Sequence, residues 1–240
     1  MKGVRNNPSD ERRIVLELDA CLLAPSDVAE DNVSVDMRIR AGELVLLDAE
    51  DEFSERALVD GICGLLSPVS GRVSFLDHDW QSLSPDWSNA QRGRIGIVER
   101  TGHWLPHLSL AEGMVLSQLH HTRNPRDAIY REAAALARRF GLPGLPADLP
   151  EQATAFDRHC ANLVRAFVGR PMLVLIERQR EAIAGRQLAA LVREIREVRE
   201  RDGAVLWFIG ANAREIDDSV PASRRLRLSD GPPAMAESMQ

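Results

Sequence analysis

The sequence predicts an α/β fold with a helical subdomain inserted into it, and three features carry that prediction. Short continuous apolar runs at Leu44–Leu47, Met172–Ile176 and Val205–Ile209 read as buried strands. Amphipathic helical spacing separates such runs, giving the order strand, loop, helix, strand. The third feature is a long stretch, from Leu108 to about Phe167, in which the pattern is helical and no strand intervenes.

In chain order, Arg13–Leu18 and Val33–Ile39 cluster or alternate apolar residues as strands do, and Ala41-Gly42 punctuates the chain before the strand Leu44–Leu47. An acidic loop follows. Ala57–Leu66 then reads as a helix stopped by Ser67-Pro68, and Gly71 opens a strand over Arg72–Leu76. In the helical stretch Ala128–Phe140 is the clearest segment, and the Pro/Gly run 141–146 breaks it. Beyond Met172–Ile176, the residues Leu188, Leu191, Val192, Ile195 and Val198 mark one face of a helix whose Glu and Arg residues form a solvated face. Gly203 ends it before the strand Val205–Ile209, and Arg224–Leu228 fits an edge strand. The expected organisation is a flexible N-terminus over 1–12 and a single domain over 13–228. Its core would be 13–100 and 169–228, its helical subdomain about 101–168, and 229–240 a flexible tail with little to bury.

With 240 residues, 44% of them hydrophobic, the chain can bury a sizeable core. No apolar run approaches the roughly 20 residues of a membrane helix, and the polar opening 1–13 lacks a signal-peptide core, so a cytoplasmic location is expected. A formal charge of -6 argues against nucleic acid as the main partner, since phosphate neutralisation needs a basic face. Cys21, Cys63 and Cys160 form no CxxC pair and read as buried thiols. His103, His107, His120 and His121 have no metal-ligand spacing, and the four tryptophans are scattered as packing residues are. The acidic residues Asp48, Glu50, Asp51 and Glu52 lack the spacing and glycine of a calcium loop. A solvated loop is expected there, with Arg56 pairing to one of its carboxylates.

A phosphate-binding loop leads from a strand through GxxxxGK[ST] into a helix, so that backbone N–H groups curl round phosphate, lysine adds charge and a hydroxyl holds Mg²⁺. The segment from Gly42 to Phe75, GELVLLDAEDEFSERALVDGICGLLSPVSGRVSF, has the surroundings of that motif without its chemistry. It resembles the first motif block of ATP-binding cassette (ABC) ATPases. Aligned without a gap, that resemblance puts the loop's glycines on Ala49, Glu52 and Ser54, its lysine on Glu55 and its Ser/Thr on Arg56. An anionic side chain in place of lysine would oppose phosphate by several kcal/mol, about the whole of a micromolar affinity.

The resemblance runs from about Ile14 to Gly231. In RIGIVERTGHWLPHLSLAEGM it puts the family's Q-loop glutamine on Arg100, with Glu99 as an alternative register. In LPEQATAFDRHCANLVRAFVGRPMLVLIE it sets Ala153, Thr154, Ala155, Phe156 and Asp157 against the family signature LSGGQ. Glu177 then stands for the Mg²⁺-linked aspartate and Arg178 for the catalytic glutamate, a place where arginine cannot serve as a general base. Ala184 falls at the D-loop aspartate and Gly210 or Ala211 at the switch histidine. The aromatic residue that stacks on adenine is absent from Leu18–Ser26.

What the resemblance implies is an ABC-type P-loop NTPase-like core in a non-catalytic, degenerate cassette: a pseudo-ATPase subunit with no catalytic residue, no cofactor and no metal. Its expected partners are an ABC permease, a competent ABC ATPase subunit, or both, which would hold it at the cytoplasmic face of a membrane. Trp104 and Leu105 fall where the family receives the permease. Two alternatives stand beside this reading. One is an ATP-binding subunit that keeps weak ATP and Mg²⁺ binding or hydrolysis in a heterodimer; the other is a stand-alone interaction module on the same fold.

Overall fold

The computed structural model describes residues 12–26, 32–49, 51–179, 183, 185–209 and 221–228. Residues 1–11 of the expected flexible N-terminus 1–12, the expected tail 229–240, and Ala184, Gly210 and Ala211 lie outside them. In chain order the elements begin with β1 (Ile14–Leu23), β2 (Val33–Arg40), β3 (Leu44–Asp48), α1 (Glu52–Ile62), β4 (Ser70–Phe75) and β5 (His78–Asp79). After these come α2 (Pro85–Arg92), β6 (Ile95–Val98), α3 (Leu110–His121), α4 (Arg126–Phe140) and α5 (Ala155–Phe167). The last are β7 (Leu173–Ile176), α6 (Gly185–Glu200), β8 (Ala204–Ile209) and β9 (Arg224–Arg227).

The strands form a four-stranded sheet in the order β2-β1-β4-β5 and a five-stranded sheet in the order β6-β7-β8-β3-β9. Every pairing in the first is antiparallel and every pairing in the second parallel. The apolar runs read from the sequence are the centre of the parallel sheet, where β7 and β8 are buried at every residue, as strands covered on both faces must be. Alternation along them feeds two cores. Val45, Leu47, Leu175, Leu206 and Phe208 pack toward the antiparallel sheet and α1. Leu44, Leu46, Val174, Ile176, Val205 and Trp207 pack toward α3 to α6.

Several element boundaries differ from the sequence-based expectation. β1 continues to Leu23 past Asp19 and Ala20, because a bulge with Ala20 at φ 44 shifts the register between Leu18 and Cys21 and absorbs the polar interruption. α1 begins at Glu52 instead of Ala57 and ends at Ile62 instead of Leu66. Asp51 caps its start by accepting a 2.7 Å hydrogen bond from the Ser54 N–H. Just past its end Gly64 adopts φ +64 with Trp80 packed so close that a Cβ would meet the ring at 2.5 Å. Part of the expected acidic loop is therefore the first turn of a helix, where carboxylates favour the positive end of the dipole. α2, β5 and the separate antiparallel layer carry no signal strong enough to have been expected.

Candidate functional site

The loop after β3, the segment after β6 and the segment after β7 meet outside the carboxyl ends of the parallel strands, the usual ligand crevice of an open α/β sheet. Here the crevice holds a cluster of the chain's own paired charges. Glu55 points inward from the first turn of α1 and its side chain is only 2% exposed. It accepts a 2.9 Å hydrogen bond from Arg100 Nη2 and a 2.8 Å bond from the backbone N–H of Arg178. The Arg178 guanidinium lies beside it, with Nε 3.5 Å from Glu55 Oε2, and its Nη2 donates to the carbonyl oxygen of Ala49. Arg100 also reaches Glu52 at 2.7 Å, and its backbone N–H donates to Glu177 Oε2 at 2.8 Å.

Each replacement is thus compensated by another. An anion stands where the resemblance expects lysine, and two cations stand on the neighbouring segments, so the acid is neutralised instead of left repelling. The isolated-charge penalty expected from the sequence does not apply to a carboxylate paired in this way. Asp51 caps α1: its carboxylate takes donors of the first turn, accepting from Ser54 N and, at 2.9 Å, from Ser54 Oγ. Its pKa is lowered, chiefly by the Ser54 backbone bond. Those donors are what an anion at a helix N-terminus would need. Arg56 turns away and pairs with Asp60 at 2.9 Å, not with the loop carboxylates, because one helical turn brings Asp60 alongside.

Glu177 is buried, and burial raises its pKa, aided by Glu99 and Glu55 and opposed by the Arg100 N–H. Glu99 faces elsewhere. Burial pushes its pKa up, but Arg165 at 3.1 Å and His103 pull it down to a net lowering. The side-chain directions favour Arg100 over Glu99 as the residue facing the loop. Asn162, which the sequence reading passed over, ties this segment to α5 by donating to the Glu99 carbonyl at 2.6 Å and accepting from the Glu99 N–H at 3.3 Å. Its only sequence signal is a polar residue on the apolar face of an amphipathic helix.

At the start of α5, Thr154 and Asp157 form a reciprocal capping box, with Thr154 Oγ1 2.7 Å from Asp157 Oδ2. Ala153 is buried, and Phe156 stands 48% exposed. Trp104 is held between the Arg165 guanidinium, 4.5 Å from its ring centroid, and Gly113, where a Cβ would meet the ring at 2.8 Å. Leu105 is exposed. A separate cavity of about 510 Å³ opens between the turn after α1, β6 and α3, walled by Leu65, Leu116, Arg92, Gly96, His121 and Arg165. Among the described residues no cluster of three or more His, Cys, Asp or Glu could hold a metal, and no helix is long and apolar enough to cross a membrane.

The parallel sheet with its antiparallel companion and flanking helices is the ABC-type P-loop NTPase fold. A dimeric ATP-binding cassette in a post-hydrolysis state bound to ADP and Pi matches 94% of this chain and 99% of its own, with TM-score 0.75 at 17% identity. The ATP-binding subunit of an ABC transporter matches 94% and 90%, with TM-score 0.78 at 18% identity. No protein-family model matches the chain. Its homologues are ABC transporter ATP-binding proteins. The lipoprotein-releasing system ATP-binding protein LolD of Nitratidesulfovibrio vulgaris is 28% identical over 205 residues, 82% of this chain and 83% of that protein. LolD of Idiomarina loihiensis is 25% identical over 179 residues, 73% and 77% respectively. The sulfate/thiosulfate import ATP-binding protein CysA of Mesorhizobium japonicum is 27% identical over 184 residues, covering 75% of this chain and 52% of that protein.

Proposed function

We propose that this chain is a non-hydrolysing cassette, a structural or regulatory subunit that sits at the cytoplasmic face of a membrane with a permease, a competent ATPase subunit, or both. One observation supports the reading: Glu55, Arg100 and Arg178 pair with one another beside the β3–α1 loop, where the resemblance would put a phosphate and its lysine. Under the ABC alignment these are the positions of the phosphate lysine, the Q-loop glutamine and the catalytic glutamate. The residues present do not fit ATP. The loop carbonyl of Ala49 is already bonded to Arg178, the Ser54 N–H at the start of α1 is taken by Asp51, and no lysine or glycine lies between Ala49 and Arg56. We treat residues 13–228 as one cassette, with α3 to α5 as its inserted helical subdomain.

A second reading, weak ATP binding in a heterodimer, draws support from Glu177, a carboxylate kept at the end of β7, and from relatives named as ATP-binding proteins. Calorimetric titration of the purified chain with ATP and Mg²⁺ separates the two. The proposal expects no saturable heat, and a permease or second ATPase that copurifies from membranes. Binding tighter than about 100 μM would displace it in favour of the second reading.

A further inference from the structure

α4 and α6 lie side by side, and two depressions along their seam share Ala135 and Arg139. They differ in charge. In one, the arginines are accompanied by Glu132, Glu194 and Glu197, and Arg139 bonds Glu194 at 2.9 Å and approaches Glu197 at 3.5 Å. The other, of about 520 Å³, is lined by Arg138, Arg139, Arg186 and Arg193 over small residues such as Ala135 and Ala190, with no acid among the described residues of its wall. Arg193 approaches Glu194 only at 3.6 Å, on a carboxylate already held by Arg139.

The side chains of Arg138 and Arg186 make no hydrogen bond or ion pair among the described residues, and both residues are exposed. A helix dipole explains Arg138, which lies in the last turn of α4 where a cation is favoured. It works against Arg186, which lies in the first turn of the 16-residue α6, where no acidic residue offsets the positive end. Around this one shallow space Arg138 and Arg186 have no described counter-charge and Arg139 and Arg193 share Glu194, so the cations in excess there repel one another although the chain's formal charge is -6. An anion between them removes that repulsion, and the volume is within the range of small-ligand sites. Guanidinium forks match phosphate oxygens in pairs.

We propose that the arginine-lined depression between α4 and α6 binds a phosphate-bearing ligand, either a small soluble polyphosphate or the headgroup of an anionic phospholipid. The assignment is independent of whether the β3–α1 loop binds nucleotide, since it uses none of the same residues. Its test is calorimetry of the full chain with pyrophosphate without metal, alongside cosedimentation with phosphatidylcholine vesicles containing phosphatidic acid. The variants are Arg138→Gln/Arg186→Gln and Arg186→Gln alone, the latter at a side chain with no described contact to lose.

Saturable pyrophosphate binding that weakens at least about tenfold in the double variant assigns a soluble ligand. Vesicle binding lost in the double variant, with pyrophosphate silent, assigns a lipid headgroup. If neither probe binds, or if both variants with unchanged thermal midpoints bind as the parent does, the site is overturned.

Discussion

Glu55 shows how far a single residue can be read from sequence. Its identity alone suggests an anion opposing phosphate; its surroundings show a buried acid answered by Arg100 and Arg178. The partners lie 45 and 123 positions away, so no local pattern joins them, and charge complementarity between distant loops is legible only once a fold has placed them. Glu55→Ala leaves two cations facing each other, and removing one member of a buried pair costs about 3–5 kcal/mol. Glu55→Lys should be worse, while the combined Glu55→Lys/Arg100→Gln/Arg178→Glu change should recover much of the loss; denaturant midpoints decide, and additive losses would refute the coupling. Glu177 gives a pH-dependent counterpart. Its pKa is raised in the folded chain from an ordinary 4.5, so the charged form is the disfavoured one. The penalty is full at pH above the folded value and is relieved as pH falls through it toward 4.5. Glu177→Gln keeps an acceptor for the Arg100 N–H and removes the charge. Its stability advantage over the parent should therefore be largest near neutrality and shrink on acidification. A difference independent of pH would remove burial as the cause.

At the scale of elements, the strands of the parallel sheet were legible because continuous apolar runs have little alternative to burial. β7 and β8 lie within a residue of their expected limits at Met172–Ile176 and Val205–Ile209. α1 was misplaced because its first turn carries two carboxylates, Glu52 and Glu55, and a cap such as Asp51 outweighs composition at a helix start. α2 has one turn of cap, Pro and acid but no sustained apolar face, so helical periodicity could not reveal it. The tightest approach at a described glycine follows from no pattern. Gly96 in β6 lies against α5, where a Cβ would fall 1.8 Å from the carbonyl oxygen of Ala166. Because that neighbour is backbone, it cannot swing aside as a side chain would. Gly96→Ala should cost about 3 kcal/mol, the upper part of the usual overpacking range, and should separate the sheet from the helical layer. A denaturant midpoint equal to that of the parent would show that the contact relaxes freely.

For the whole molecule, the 510 Å³ cavity on the face formed by α3, β6 and the turn after α1 offers the proposed partnership a surface. Leu65, 64% exposed, and Leu116, 41% exposed, stand on different walls of it, with Arg92 and Arg165 among its polar lining. That combination suits a partner helix with an apolar ridge and polar flanks. The sequence reading placed the permease contact nearby, at Trp104 and Leu105. Trp104, however, is occupied by Arg165 and Gly113, leaving Leu105 as the exposed member of the pair. If the proposed partnership is real, Leu65→Glu or Leu116→Glu should abolish recruitment to membranes carrying the permease without lowering the thermal midpoint, since neither side chain is buried in the isolated chain. Trp104→Ala should act differently, lowering stability along with recruitment, because it removes the packing that holds the 101–105 segment to α3 and α5. Recruitment that survives both glutamate substitutions would move the docking surface off this cavity and leave the crevice around Glu55 as the next candidate for the contact.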